Sequence, residues 1–301
     1  MGLNVLDKIR PHFQALWPAV EQAAQAVFPA EKPAPLPPDD PQARAGDSHP
    51  AEPPDTPAEV DLPSLQALLE QLGSLSPHSA IIGLCEDGLP FVLDLYNPAP
   101  GSLLIAGDPN SGKTRLLQAI LTSAALLNSP AQVSFRVLAY QREEYLALAK
   151  TEHCQKLHAI DEHLPGEMID ELATIVEERR ASKPGGPALI LAIDDLGACL
   201  QYLDKHTYHR LYWLIRHGPR SRVWVMATLS SRRVKEINPR YLTAFRSRLA
   251  GLLTDQKLAA SLLGKSNGET RRLHQGYQFW VPYSGEGVRF WVCEPETEDQ
   301  A

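Results

Sequence analysis

One stretch has the residue types and spacing to hold a chain of phosphates. Gly107, Asp108, Pro109, Asn110, Ser111, Gly112, Lys113 and Thr114 follow one another in the pattern G-x-x-x-x-G-K-[ST]. Glycines let the backbone curl until successive N–H groups face a single anion. A helix beginning at the lysine turns its positive end on the same charge. In that arrangement Lys113 reaches the β- and γ-phosphates of ATP, Thr114 ligates Mg²⁺ through its hydroxyl, and Arg115 extends the cradle. An ordinary strand-to-helix turn is the alternative reading of these residues.

A triphosphate site needs a second, carboxylate-bearing strand. The run "PALILAIDDLG" ends an apolar stretch on Asp194 and Asp195. A carboxylate on the strand beside the loop can hold Mg²⁺ through its water, and the next one can polarise an attacking water. Asp194 is therefore assigned to the metal and Asp195 to the water; a pair of acids capping the next helix is the alternative. Glutamate is more usual at the second position. The missing methylene draws the Asp195 carboxylate back by about an ångström, a displacement that can cost on the order of 10²-fold in rate. A third strand, "VWVMATLSSRR", ends on polar Thr228, a candidate γ-phosphate sensor, although Thr and Ser also end strands for unrelated reasons.

These groups need a scaffold that brings several loops to one edge. Leu103–Ala106, Val133–Ala139, Ala188–Ile193 and Val223–Ala227 are apolar almost throughout, as strands buried on both faces of a parallel sheet are. Helical stretches separate them at Lys113–Leu127, part of Glu143–Cys154, Glu167–Arg180 and Leu200–Arg216. The alternation predicts a doubly wound α/β sheet. A short helix in "PSLQALLEQLG" precedes it, then two short strands turning at Glu86-Asp87-Gly88. A closing hairpin around Ser284-Gly285-Glu286-Gly287 follows.

Upstream, residues 1–28 place apolar side chains at a spacing of three and four, which predicts an amphipathic helix divided by Pro11 and Pro18. Its polar face is not rich in Lys or Arg, so a protein partner suits it better than a membrane surface. Residues 29–63 are dominated by Pro, Ala, Asp and Glu, and are expected to form a disordered linker. A domain over 64–293 and an acidic disordered tail over 294–301 complete the division. No apolar run approaches the roughly 18 residues of a membrane helix, and the N-terminus lacks the apolar block of a signal peptide; a cytoplasmic protein without membrane insertion is expected. Cys85, Cys154, Cys199 and Cys293 form no C-x-x-C pair, which argues against a zinc site or a disulfide framework. The net charge of −7 argues against general coating of nucleic acid, yet residues 205–248 hold many Lys and Arg against Glu236. That region is either an anion-binding surface or a set of solvated faces.

The ordered set of landmarks resembles the motor domain of the FtsK/SpoIIIE family, within the HerA/FtsK group of P-loop ATPases. It includes "IGLCEDGLPFVLDL", "GSLLIAGDPNSGKT", "VSFRVLAY", "ALILAIDDL", "RSRVWVMATLSSR", "FRSRLAGLLTDQKLAASLLGKSNGE" and "HQGYQFWVP". The resemblance implies a RecA-like P-loop ATPase that assembles as a hexameric ring around double-stranded DNA, with neighbouring subunits completing each ATP site. It therefore implies an ATP-driven DNA translocase. Arg248 stands at the basic position before the family's penultimate core strand and is a candidate arginine finger, in competition with Arg220 and Arg222. The family's second Walker B Glu is Asp195 here, and its sensor A-T-Q-R-P is Ala227-Thr228-Leu229-Ser230-Ser231. Two alternatives stay open: a module that moves polypeptide or gates assembly with ATP, and a nucleotide-binding scaffold with weak turnover.

Overall fold

The computed structural model describes residues 64–72, 75–162, 164–182, 185–264, 268–283 and 286–294. The expected N-terminal helix, the Pro-rich linker and residues 295–301 lie outside them. In chain order come α1 (Leu65–Leu72), β1 (Ser79–Cys85), β2 (Pro90–Asp94), β3 (Leu103–Gly107), α2 (Lys113–Leu127) and β4 (Val133–Ala139). After a 3-10 turn at Arg142–Tyr145 follow α3 (Leu146–Ala149), β5 (Cys154–Ala159), α4 (Leu164–Ala181), β6 (Ala188–Asp194), α5 (Leu196–Tyr202) and α6 (Lys205–His217). Then come β7 (Val223–Ser230), a 3-10 segment at Ser231–Glu236, α7 (Pro239–Ala244), β8 (Ser247–Ala250), α8 (Gln256–Leu263), β9 (Gln278–Tyr283) and β10 (Glu286–Trp291).

The strands form one sheet in the order β2-β1-β10-β9-β8-β3-β7-β6-β4-β5. From β8 to β5 all neighbours are parallel, whereas β9, β10, β1 and β2 join through antiparallel pairs. Alternation of side chains within the apolar runs supplies two cores. Leu103 and Ile105 of β3 pack with Leu116, Leu117 and Ile120 of α2 on one face. Leu104 and Ala106 join Ile169 and Leu172 of α4 and Leu211 of α6 on the other. Neither face meets water, which is why these strands carry almost no polar residues.

The two hairpins and the four apolar strands stand where the sequence places them, and three points differ. The stretch Leu200–Arg216 is two helices, because the Asp204 carboxylate accepts the Thr207 N–H at 2.9 Å and starts a second one, with Leu203 extended between them. Strand β5 occupies a segment without an apolar run; as an edge strand it pairs only with β4 and leaves Gln155 exposed. Finally, β6 is not beside the loop strand, since β7 lies between β3 and β6.

Buried Asn128, at the end of α2, fastens the start of the β1–β2 hairpin to that helix. Its Oδ1 accepts the His78 N–H at 2.6 Å, while Nδ2 donates to the Ser79 and Ala124 carbonyls at 2.9 and 2.8 Å. Asn128→Ala strips two buried backbone carbonyls and the part-buried His78 N–H of a partner and should lower unfolding stability by about 2 kcal/mol or more. Urea denaturation measures this directly; a loss below about 0.5 kcal/mol would mean that water replaces the amide there.

Candidate functional site

The loop between β3 and α2 runs at the carboxyl edge of the parallel strands, where an open α/β sheet meets its ligands. Its backbone takes two left-handed turns, at Asn110 (φ 61°) and Gly112 (φ 82°). A Cβ on Gly112 would collide with the Gly276 carbonyl, and one on Gly107 with the Ser111 hydroxyl. The cradle is therefore built to a tolerance that only glycine meets. Helices α5, α6 and α8 each begin on an aspartate whose carboxylate accepts a backbone N–H. Helix α2 begins on Gly112 with no side-chain cap and no acidic residue in its first turn. Its leading N–H groups and its positive dipole are left for an outside anion.

Lys113 Nζ donates to the Asp108 carbonyl at 2.8 Å and approaches the Ser111 hydroxyl at 3.4 Å. Burial pulls its pKa below the usual lysine value, and the nearby charges of Asp194, Asp195 and Asp108 oppose that pull. The Asp108 carboxylate is a structural tie that sequence reasoning missed. Its Oδ2 accepts both the N–H and the hydroxyl of Thr254, at 2.9 and 2.8 Å. Burial alone would raise this carboxyl, but hydrogen bonds from Ser231 and Thr254 and the Lys113 charge hold it below the usual range. The loop is thereby fastened to the segments that follow β7 and β8.

Asp194, at the end of β6, meets Thr228 of the adjacent β7, the strand that separates β3 from β6. The Thr228 hydroxyl donates to Asp194 Oδ1 at 2.6 Å and accepts the Asp195 N–H at 2.9 Å. It is thus committed to the aspartates. The Asp195 carboxylate caps α5 by accepting the Ala198 N–H at 3.0 Å and pairs with Arg233 Nε at 3.4 Å. Its φ of 75° is held by these contacts on both sides. Arg233 can come so close because Gly197 has no side chain in its path.

Pro109, Thr114 and Arg115 complete the loop and the first turn of α2. Arg115 lies over the Tyr277 ring at 4.3 Å and pairs with Glu294 at 3.3 Å. The candidate arginine fingers stand apart from this edge. Arg248 lies within β8 and donates to the Phe245 and Leu262 carbonyls at 3.1 and 2.7 Å. Arg220 and Arg222 precede β7 at the opposite edge, and Arg222 covers the Tyr96 ring at 3.8 Å.

The arrangement fits a magnesium-bound triphosphate on two observations: the uncapped glycine cradle, and a donor set of one hydroxyl, Thr114, and one carboxylate, Asp194. Among the described residues no cluster of three or more His, Cys, Asp or Glu could hold a metal. A sparse protein donor set is how Mg²⁺ is held when phosphate and water supply the other ligands.

Capping and water activation by Asp195 can be told apart. Asparagine caps a helix about as well as aspartate but carries no charge. Asp195→Asn should keep thermal stability near that of the parent while ATP turnover falls at least about tenfold, whereas Asp195→Ala should also lose about 1 kcal/mol of stability. Full turnover in Asp195→Asn would leave the residue a cap alone.

The FtsK/SpoIIIE family model matches residues 66–183. The ESX-5 secretion system protein EccC5 of Mycobacterium marinum is 28% identical over 207 residues, covering 60% of this chain and 15% of that protein. The ESX secretion system protein EccC of Thermomonospora curvata is 27% identical over 136 residues, covering 39% and 10%. The chain thus spans a small part of the curated relatives it matches. Among solved structures, EssC (ATPases 2 and 3) from Geobacillus thermodenitrificans superposes with a TM-score of 0.66 at 17% identity, covering 81% of this chain and 49% of that one. EccC (ATPases 2 and 3) of T. curvata, in complex with a signal sequence peptide, gives 0.60 at 20% identity, covering 78% and 43%. The pCW3 conjugation coupling protein TcpA, monomer form with ATPgS, gives 0.60 at 17% identity, covering 79% and 71%. At these identities the structures share the RecA-like P-loop fold, and residues 66–183 are similar to the FtsK/SpoIIIE family domain.

Proposed function

We propose that residues 64–293 form an ATP-hydrolysing module that drives the handling of polypeptide, as part of an assembly of several copies. One observation carries the ATP reading: the uncapped start of α2, the Lys113 ammonium and the hydroxyl-held Asp194 converge at one sheet edge. Loop N–H groups bind the phosphates and Lys113 offsets their charge. When bound, magnesium would be held by Thr114 and Asp194 and would neutralise charge on the phosphate oxygens. Asp195 keeps lone pairs beyond its cap and its Arg233 contact, enough to orient a water. The shorter side chain and the arginine partner both favour slow turnover over fast.

Two considerations support polypeptide over duplex DNA. The curated relatives are named as secretion-system proteins. The basic stretch 205–248 also fails to gather into one surface. Arg210 bonds Asp170 and Glu177, and Arg233 pairs with Asp195 and Glu236. Exposed Arg220 and Arg246 precede β7 and β8, whereas exposed Arg232 and Lys235 follow β7, which places them at opposite edges of the sheet. Duplex binding depends on phosphate contacts gathered along one face. Arg220, before β7 at the opposite edge, stands away from the nucleotide cradle of its own chain.

Lys113→Ala should abolish Mg·ATP binding in the folded protein, as read by fluorescence of a labelled nucleotide. Duplex DNA at low salt, where phosphate contacts are strongest, should change the wild-type ATPase rate by less than about twofold. A several-fold stimulation that fades as salt rises would overturn the polypeptide reading and restore the DNA one.

A further inference from the structure

The metal-side carboxylate is gripped from two directions, and one grip comes from a residue outside every motif. Tyr145 ends the 3-10 turn after β4 and is fully buried. Its hydroxyl donates to Asp194 Oδ2 at 3.0 Å, while Thr228 donates to Oδ1 at 2.6 Å. The turn that carries Tyr145 is itself anchored to the phosphate-loop helix. Gln118 Nε2 of α2 donates to the Glu144 carbonyl at 2.8 Å. Beside it, the Tyr140 N–H donates to the Asp194 carbonyl at 3.2 Å.

We propose that Tyr145 is a positioning residue for Asp194, fixing the carboxylate in the orientation that serves the nucleotide-bound magnesium. An aspartate side chain turns about two bonds, and one hydroxyl on each oxygen stops both rotations. Each oxygen keeps a further lone pair for a ligand water. The grip also spans the fold: α2, which starts at the phosphate loop, reaches through Gln118 and Tyr145 to the end of β6. Polar partners of this kind orient metal-side carboxylates, and their loss commonly weakens metal affinity by about 10- to 100-fold. The proposal rests on the reading that Asp194 serves the metal.

The test uses Tyr145→Phe, which keeps the buried ring and removes only the hydroxyl, beside Asp194→Asn. The readout is binding of a fluorescent ATP analogue titrated with Mg²⁺, with binding in EDTA as the metal-free reference. Tyr145→Phe should raise the Mg²⁺ concentration at half-effect about tenfold and leave binding in EDTA unchanged. A loss of general structure would weaken both alike, and that result counts against the proposal. If Asp194→Asn shifts the metal dependence and Tyr145→Phe does not, the positioning role falls while the metal role of Asp194 stands. If Tyr145→Phe shifts it and Asp194→Asn does not, the tyrosine acts on something else and the proposal falls. If neither shifts it, the Asp194 reading and the proposal fail together. Should Tyr145→Phe not fold, 3-fluorotyrosine at position 145 keeps the shape and retunes the donor, and an unaltered metal dependence there is equally adverse.

Discussion

An ammonium withdrawn from water at the carboxyl edge of a parallel sheet sets the terms for everything around it. Lys113 belongs to the first turn of α2, and burial works against its charge. Three aspartates oppose that penalty, and each is fixed by its own partners. Asp108 is held by Thr254, Asp194 by Tyr145 and Thr228, and Asp195 by Arg233 and the start of α5. Without Arg233 the immediate balance is three carboxylates to one ammonium. A triphosphate adds more negative charge, and a divalent cation between phosphate and the Asp194 side would offset that repulsion.

Strand order decides how these groups can meet. The loop leaves β3 and the aspartate pair ends β6, with β7 between them. Strands spaced by about 4.8 Å put the two ends about 10 Å apart, too far for direct contact of short side chains. Thr228, at the end of β7, fills the middle and bonds Asp194. The 3-10 segment that follows continues the bridge, with Ser231 bonding Asp108 and Arg233 reaching Asp195. The third strand is thus the mechanical link between the phosphate cradle and the carboxylates.

What the sequence made legible followed from burial and from glycine. Strands covered on both faces must be apolar throughout, so β3, β4, β6 and β7 are plain in the residue pattern. The cradle is plain because Gly107 and Gly112 tolerate approaches that no side chain would. Strand β5 is hidden by its edge position, which permits Gln155 and Lys156 in place of an apolar run. Strand β8 is four residues long and contains Arg248, too little for a period-two signal. Tyr145, Arg233 and Thr254 join the site only through tertiary contact. Tyr145 lies 49 positions from Asp194, and no local pattern relates two such residues. Aspartate at 195 reads locally as a helix cap as well as a catalytic acid, and the geometry contains the cap.

The account stands on one cradle and one carboxylate forming a single magnesium–triphosphate site. A crystal structure with Mg²⁺ and a non-hydrolysable ATP analogue tests this most directly. The terminal phosphates should lie against the loop N–H groups and Lys113, with the metal between Thr114 and the Asp194 side. Nucleotide bound elsewhere, or a metal that leaves Asp194 out of its surroundings, would contradict it.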